Sequence, residues 1–218
     1  MYITVYEVVG VFAAVLAILM LGSRNVRFQL SMYTLQICLI AGETILFAIQ
    51  YHDWHFYLIG ITLILQRALL VPGFLNWIVS RIDGVKDPGM ILPAPLTMHL
   101  SILLFGLSFF VATHLPLPEA GGSRIVIASA TASISLLFSG LIMMLTRRLA
   151  LSQIIGFITL ENGVYLFALT QTDGLPILIE MAVFIDILGA VMLSGVLIFN
   201  IKRSFEHIDV TRLTNLKH

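Results

Sequence analysis

Long apolar runs alternate with short clusters of turn-forming and charged residues along the whole chain. The runs cover approximately 3–22, 29–50, 56–80, 97–115, 125–146, 150–171 and 176–200. Each is close to the roughly 20 residues that an α-helix needs to cross about 30 Å of hydrocarbon. Between them lie Ser23-Arg24-Asn25, His52-Asp53, the stretch from Asp83-Gly84 to Pro95, Pro116 to Gly122, and Asp173-Gly174. The pattern predicts an all-α integral membrane protein of about seven transmembrane helices, because only helices and closed barrels satisfy their backbone inside lipid. After Arg203 the chain turns polar. Phe205, Ile208, Leu213 and Leu216 approximate one helical face, which predicts a tail that lies on the membrane surface or docks on a neighbour.

Composition agrees with lipid as the main solvent. Hydrophobic residues make up 59% of the chain and charged residues 11%, against roughly 25% charged in soluble domains. The formal net charge is zero, which argues against nucleic acid as a partner. The single cysteine, Cys38, falls in an apolar run and is expected to pack as a small hydrophobe. One thiol permits no internal disulfide and does not suit an iron–sulfur cluster. Within the spans, histidine occurs only as His99 and His114, near opposite ends of the same run, so haem is not expected either and no cofactor is assigned. The first run lacks a basic leader, carries Glu7 and continues to Gly22, so no cleavable signal peptide is expected.

The basic residues orient the spans. With alternating crossings, Arg24, Arg27, Arg81, Lys86, Arg147, Arg148, Lys202, Arg203, Arg212 and Lys217 fall on one side, Arg124 on the other and Arg67 within a span, which is ten of the twelve on one side. The positive-inside rule makes that side cytoplasmic. The N-terminus is then outside, the C-terminus inside, and the protein a multi-pass component of the cytoplasmic (inner) membrane.

Charges at mid-membrane are the candidate functional residues. Glu161 lies about ten residues into its run, Asp186 about ten and Arg67 about eleven, so each is roughly 15 Å deep at 1.5 Å per residue. A lone charge there costs about 2.5–3.5 kcal/mol on insertion scales, so such residues pair, face the protein interior or handle protons. Two readings fit. One is a structural ion pair between Arg67 and a carboxylate; the other is a proton-handling chain. Glu43, in the second run beyond the midplane, and Glu180, one turn inside the outer end of the seventh, extend the chain of candidates. Pro72-Gly73 follows Arg67 by little more than a turn. Proline withholds the backbone donor that the Ala68 carbonyl would use, so a kink is expected there.

The first three and last three runs share a layout. Arg27, Glu43 and Arg67 precede Arg148, Glu161 and Asp186 by 121, 118 and 119 residues. Four crossings separate the equivalents, which makes this a candidate 3+1+3 parallel repeat. The chain then divides into an N-terminal three-helix bundle over 1–81, a linker region with the fourth helix over 82–124, a C-terminal three-helix bundle over 125–203, and a cytoplasmic tail over 204–218.

The segment Ile155-Gly156-Phe157-Ile158-Thr159-Leu160-Glu161-Asn162-Gly163, the spacing of Glu180 to Asp186, and the ending from Ile208 to Lys217 resemble component E of hydrogenase-4-type complexes. The Leu69-Leu70-Val71-Pro72 run extends the likeness over most of the chain. That family in turn is similar to the K subunit of complex I and to the C subunit of multisubunit cation/proton antiporters, with 125–203 as the corresponding part. The K-subunit pattern has a glutamate where this chain has Ile158; Glu161 lies one turn further on. The resemblance implies a membrane-arm subunit of an energy-converting complex, a group 4 [NiFe] hydrogenase or formate hydrogenlyase relative. It would not be catalytic by itself. Its partners would be antiporter-like membrane subunits and peripheral hydrogenase-like subunits, and Glu161, Asp186, Arg67 and Glu180 would serve its proton or cation path. They are joined by Glu43, which is proposed from its depth alone and has no counterpart in the family. The rival readings are a stand-alone secondary transporter and a structural scaffold of the same complex.

Overall fold

The computed structural model describes residues 2–52, 54–81, 91–115, 123–171 and Gly189. Six of the seven apolar runs coincide with described helical segments: α1 (Tyr2–Gly22), α2 (Val26–Tyr51), the third run as α3 (Trp54–Thr62), a π-helix (Leu63–Leu70) and α4 (Val71–Arg81), then α5 (Ala94–His114), α6 (Ser123–Thr146) and α7 (Ala150–Gln171). The seventh run, with Glu180 and Asp186, and the tail lie outside the described residues except for Gly189. Among the described residues, five helical stretches are long and apolar enough to cross a membrane, and a shorter apolar helix covers Val8–Gly22.

Local chemistry sets the ends of these helices. The Asn25 side chain accepts a hydrogen bond from the Arg27 N–H at 3.0 Å and caps α2, satisfying one of the donors that a helix start leaves open. His52 closes α2 in the left-handed conformation at φ 55°. Pro95 stands in the first turn of α5, where its missing N–H costs nothing.

Three described segments meet at one end of the bundle. The Arg147 side chain reaches the end of α1, Ile91 N–H donates to Thr146 O at 2.9 Å, and the Thr97 hydroxyl reaches Leu21 O. The α1–α2 turn, the α6–α7 turn and the start of α5 therefore share an end.

Packing explains the rest. α2 lies against α1, α7 and all parts of the third-run helix, while α6 lies against α1, α5 and α7. α6 and α7 approach backbone to backbone: a Cβ added at Gly140 would come within 2.6 Å of Gly156 O, and one at Gly163 within 2.8 Å of Ser133 O. Small residues permit this contact where lipid supplies no hydrophobic drive between helices. Large apolar side chains such as Phe12, Leu70, Leu103, Phe110 and Leu145 point outward. One expectation needs correcting. Cys38 is exposed on the outer surface of α2 and does not pack inside. The break near Pro72 is an eight-residue π-helix. Val71 N–H donates to Gln66 O, five residues back, so the wider turn re-registers the backbone ahead of the missing proline donor.

Candidate functional site

Three elements converge inside the bundle: α2, the π-helix and α7. Arg67 is in the π-helix, and it is only 5% exposed. Its Nη1 donates to Asn162 Oδ1 at 2.9 Å. Its Nη2 lies 3.6 Å from Glu161 Oε2. Asn162 Nδ2 in turn donates to Gln36 Oε1 at 3.1 Å, and Gln36 Nε2 donates to the Ala13 carbonyl at 2.9 Å. One buried line of polar contacts thus joins the π-helix, α7, α2 and α1.

The Glu161 carboxylate is held loosely within this line. Its contact to Arg67 is longer than the 2.7–2.9 Å of a charge-assisted hydrogen bond. Among the described residues, Glu161 Oε1 has no hydrogen-bond partner although it is buried. Gly189 packs directly against it: a Cβ there would lie 2.6 Å from Glu161 Oε1 and 2.7 Å from the Phe157 ring. Gly189 therefore brings backbone, without a side chain, to the face of the carboxylate.

Glu43 lies further along α2 and is also buried, with neither carboxyl oxygen hydrogen-bonded among the described residues. Beside it in sequence, the Thr44 hydroxyl donates to Ile40 O at 3.0 Å and meets the Tyr165 hydroxyl of α7 at 2.9 Å. The structure therefore brings Arg67 and Glu161 into contact and places Glu43 next in sequence to a second buried polar contact, between α2 and α7. Asp186 and Glu180 lie outside the described residues.

Sequence reasoning passed over much of this network. Gln29, Tyr33, Gln36 and Thr44 are all buried on α2, and their spacing puts them with Glu43 on one face. That periodicity was the available signal. Asn162, adjacent to Glu161, and Tyr165, one turn beyond it, were the corresponding omissions on α7. Arg147 was counted as a loop charge but is buried, with Nη2 donating to Leu21 O at 2.6 Å and Met20 O at 3.2 Å. There it caps the C-terminal carbonyls of α1, the negative end of that helix dipole. At the two turns of this end, Gln29 Nε2 donates to Ser23 O at 2.7 Å and Gln153 Nε2 to Arg147 O at 2.8 Å, the same clasp over six residues. Among the described residues no three His, Cys, Asp or Glu side chains group as metal ligands.

These features define a polytopic helical protein with a buried, partly unsatisfied charge network across its helices. In sequence it is similar to hydrogenase-4 component E of Escherichia coli, at 28% identity over 188 residues, 86% of this chain and 80% of that protein. The same component of Shigella flexneri matches to the same extent, 28% over 188 residues. An uncharacterized protein of Mycobacterium tuberculosis is 29% identical over 205 residues, 92% of this chain and 90% of that one. No family model and no solved structure matches the chain.

Proposed function

We propose that this protein is a membrane subunit of a hydrogenase-4-like energy-converting complex and lends buried acidic residues to a proton or cation path. In this reading redox chemistry belongs to peripheral partner subunits, and antiporter-like membrane subunits flank the chain. It resides in the cytoplasmic membrane with its N-terminus outside and its C-terminus inside. Glu161 is the central exchanging group, Arg67 holds its counter-charge, and Asp186, Glu180 and Glu43 extend the path. The similarity to component E over most of both chains supports membership in the complex.

The observation that carries the relay is the half-satisfied carboxylate of Glu161. A clamp built only for packing gains from saturating both oxygens, since a buried unpaired acceptor costs about 1–3 kcal/mol. Here one oxygen sits 3.6 Å from the cation and the other has no donor among the described residues. That is the condition of a group that exchanges its proton with a visiting partner. The test is isolation: tagged protein drawn gently from native membranes should carry hydrogenase-like and antiporter-like subunits. A lone chain that transports a small solute unaided contradicts the reading in favour of a secondary transporter.

A scaffold role in the same complex draws on a different observation. Arg67 is well bonded to Asn162, and through Asn162 to Gln36, so the network also ties three helices together. The two readings differ in what Glu161→Gln does to pumping in an intact complex.

A further inference from the structure

The proposed path leaves Glu43 without a route to Glu161, and the contact between α2 and α7 supplies one. We propose that the Tyr165 hydroxyl, with Thr44, is the proton-passing link between Glu161 and Glu43. This rests on the relay reading above and adds to it the residues that join its two buried carboxyls.

The geometry is specific. Tyr165 is buried and follows Glu161 by four residues on α7, so it lies one turn along the same face. Thr44 Oγ1 already points its proton at the Ile40 carbonyl, so in the 2.9 Å contact between the two hydroxyls Tyr165 is the donor. Many threonines and serines here bond back to their own helix, Thr131, Thr146 and Thr159 among them. What distinguishes Thr44 is the second hydroxyl, from another helix, on an oxygen next in sequence to a buried carboxyl.

A hydroxyl both donates and accepts, so it passes protons without ending charged. A proton leaving a protonated Glu161 through a water reaches the Tyr165 oxygen as the phenol's own proton moves to Thr44 Oγ1. The Thr44 proton then leaves the Ile40 carbonyl and reaches the Glu43 carboxylate through a second water, because Thr44 and Glu43 make no direct hydrogen bond. The net change is one proton from Glu161 to Glu43, with both hydroxyls neutral at the end. Rotation about the two C–O bonds resets the chain.

The experiment uses the complex purified with its partners and reconstituted into phosphatidylcholine vesicles, driven by reduced methyl viologen. Protons moved per electron pair are read by an entrapped pH dye. Tyr165→Phe keeps the ring and removes the hydroxyl; the coupled proton flux should fall by roughly a hundredfold, the lower end of what a positioned proton-transfer group contributes. Thr44→Val should match it and Thr44→Ser should restore coupling. Full coupling in Tyr165→Phe, beside a loss in Glu161→Gln, overturns the link and leaves the relay standing. Full coupling in Glu161→Gln as well removes the relay and the link together. If Tyr165→Phe prevents assembly, the Thr44 pair decides: loss in Val with recovery in Ser supports the link, and wild-type coupling in Val or equal loss in both overturns it.

Discussion

Replacing Arg67 by leucine and Glu161 by glutamine should have unequal effects on the protein, and the inequality follows from how each group is held. Arg67→Leu removes the donor that Asn162 Oδ1 receives at 2.9 Å and the cation facing Glu161. Stranding one member of a buried charge pair costs about 3–5 kcal/mol in soluble interiors. Glu161→Gln removes a 3.6 Å attraction, but the guanidinium keeps its bond to Asn162 and a further interaction, so it is not stranded as the carboxylate would be. Polar contacts between membrane helices average about 0.6 kcal/mol and reach about 1.7, so the glutamine should cost about 1 kcal/mol. The difference of about 2–4 kcal/mol is at its lower end roughly a thirtyfold difference in the intact fraction. The assay is the amount of each variant recovered in the assembled complex after mild detergent extraction, with its thermal aggregation midpoint. Arg67→Leu should be depleted and Glu161→Gln close to wild type. Equal loss in both would refute the argument that the carboxylate is loosely held.

Gly140→Leu should abolish stable folding, because even a Cβ there meets Gly156 O at 2.6 Å; membrane-inserted yield measured beside Gly106→Leu, where nothing lies within 4 Å, checks it. Arg147→Ala should release the end of α1 and lower thermal stability by about 2 kcal/mol, a value for a charged donor to buried carbonyls, and Arg147→Lys should recover only part of the loss because it lacks the planar fork. A reporter fused after Lys217 should read cytoplasmic and one at Gly121 external, and both on the same side would overturn the span count.

The spans were legible because lipid imposes a length, and helical rise turns position in a run into depth. That arithmetic set Arg67 and Glu161 at one level, and the structure has them in contact. It could not say that Asn162 would take the better hydrogen bond, since depth carries no information about which face a residue turns to a neighbour. The stripe Gln29, Tyr33, Gln36 and Thr44 follows a helical period, but uncharged polar residues carry a smaller penalty in lipid than full charges and so mark a buried face less sharply. Pro72 announced a break, yet proline chemistry alone does not choose between a kink and the wider π-turn that positions Arg67. Arg147 sits at the end of a run, where sequence gives no sign that its guanidinium turns inward to α1. Cys38 faces outward because it lies on the opposite side of α2 from the buried stripe that holds Gln29, Tyr33, Gln36 and Ile40.

The central claim is that Glu161, with Asp186, carries ions and does not merely tie helices together. The direct measurement is protons translocated per turnover in vesicles containing the purified complex with Glu161→Gln and Asp186→Asn combined, alongside its subunit content. An intact complex whose translocation falls to background is the predicted result. Full translocation by that intact double variant would contradict it.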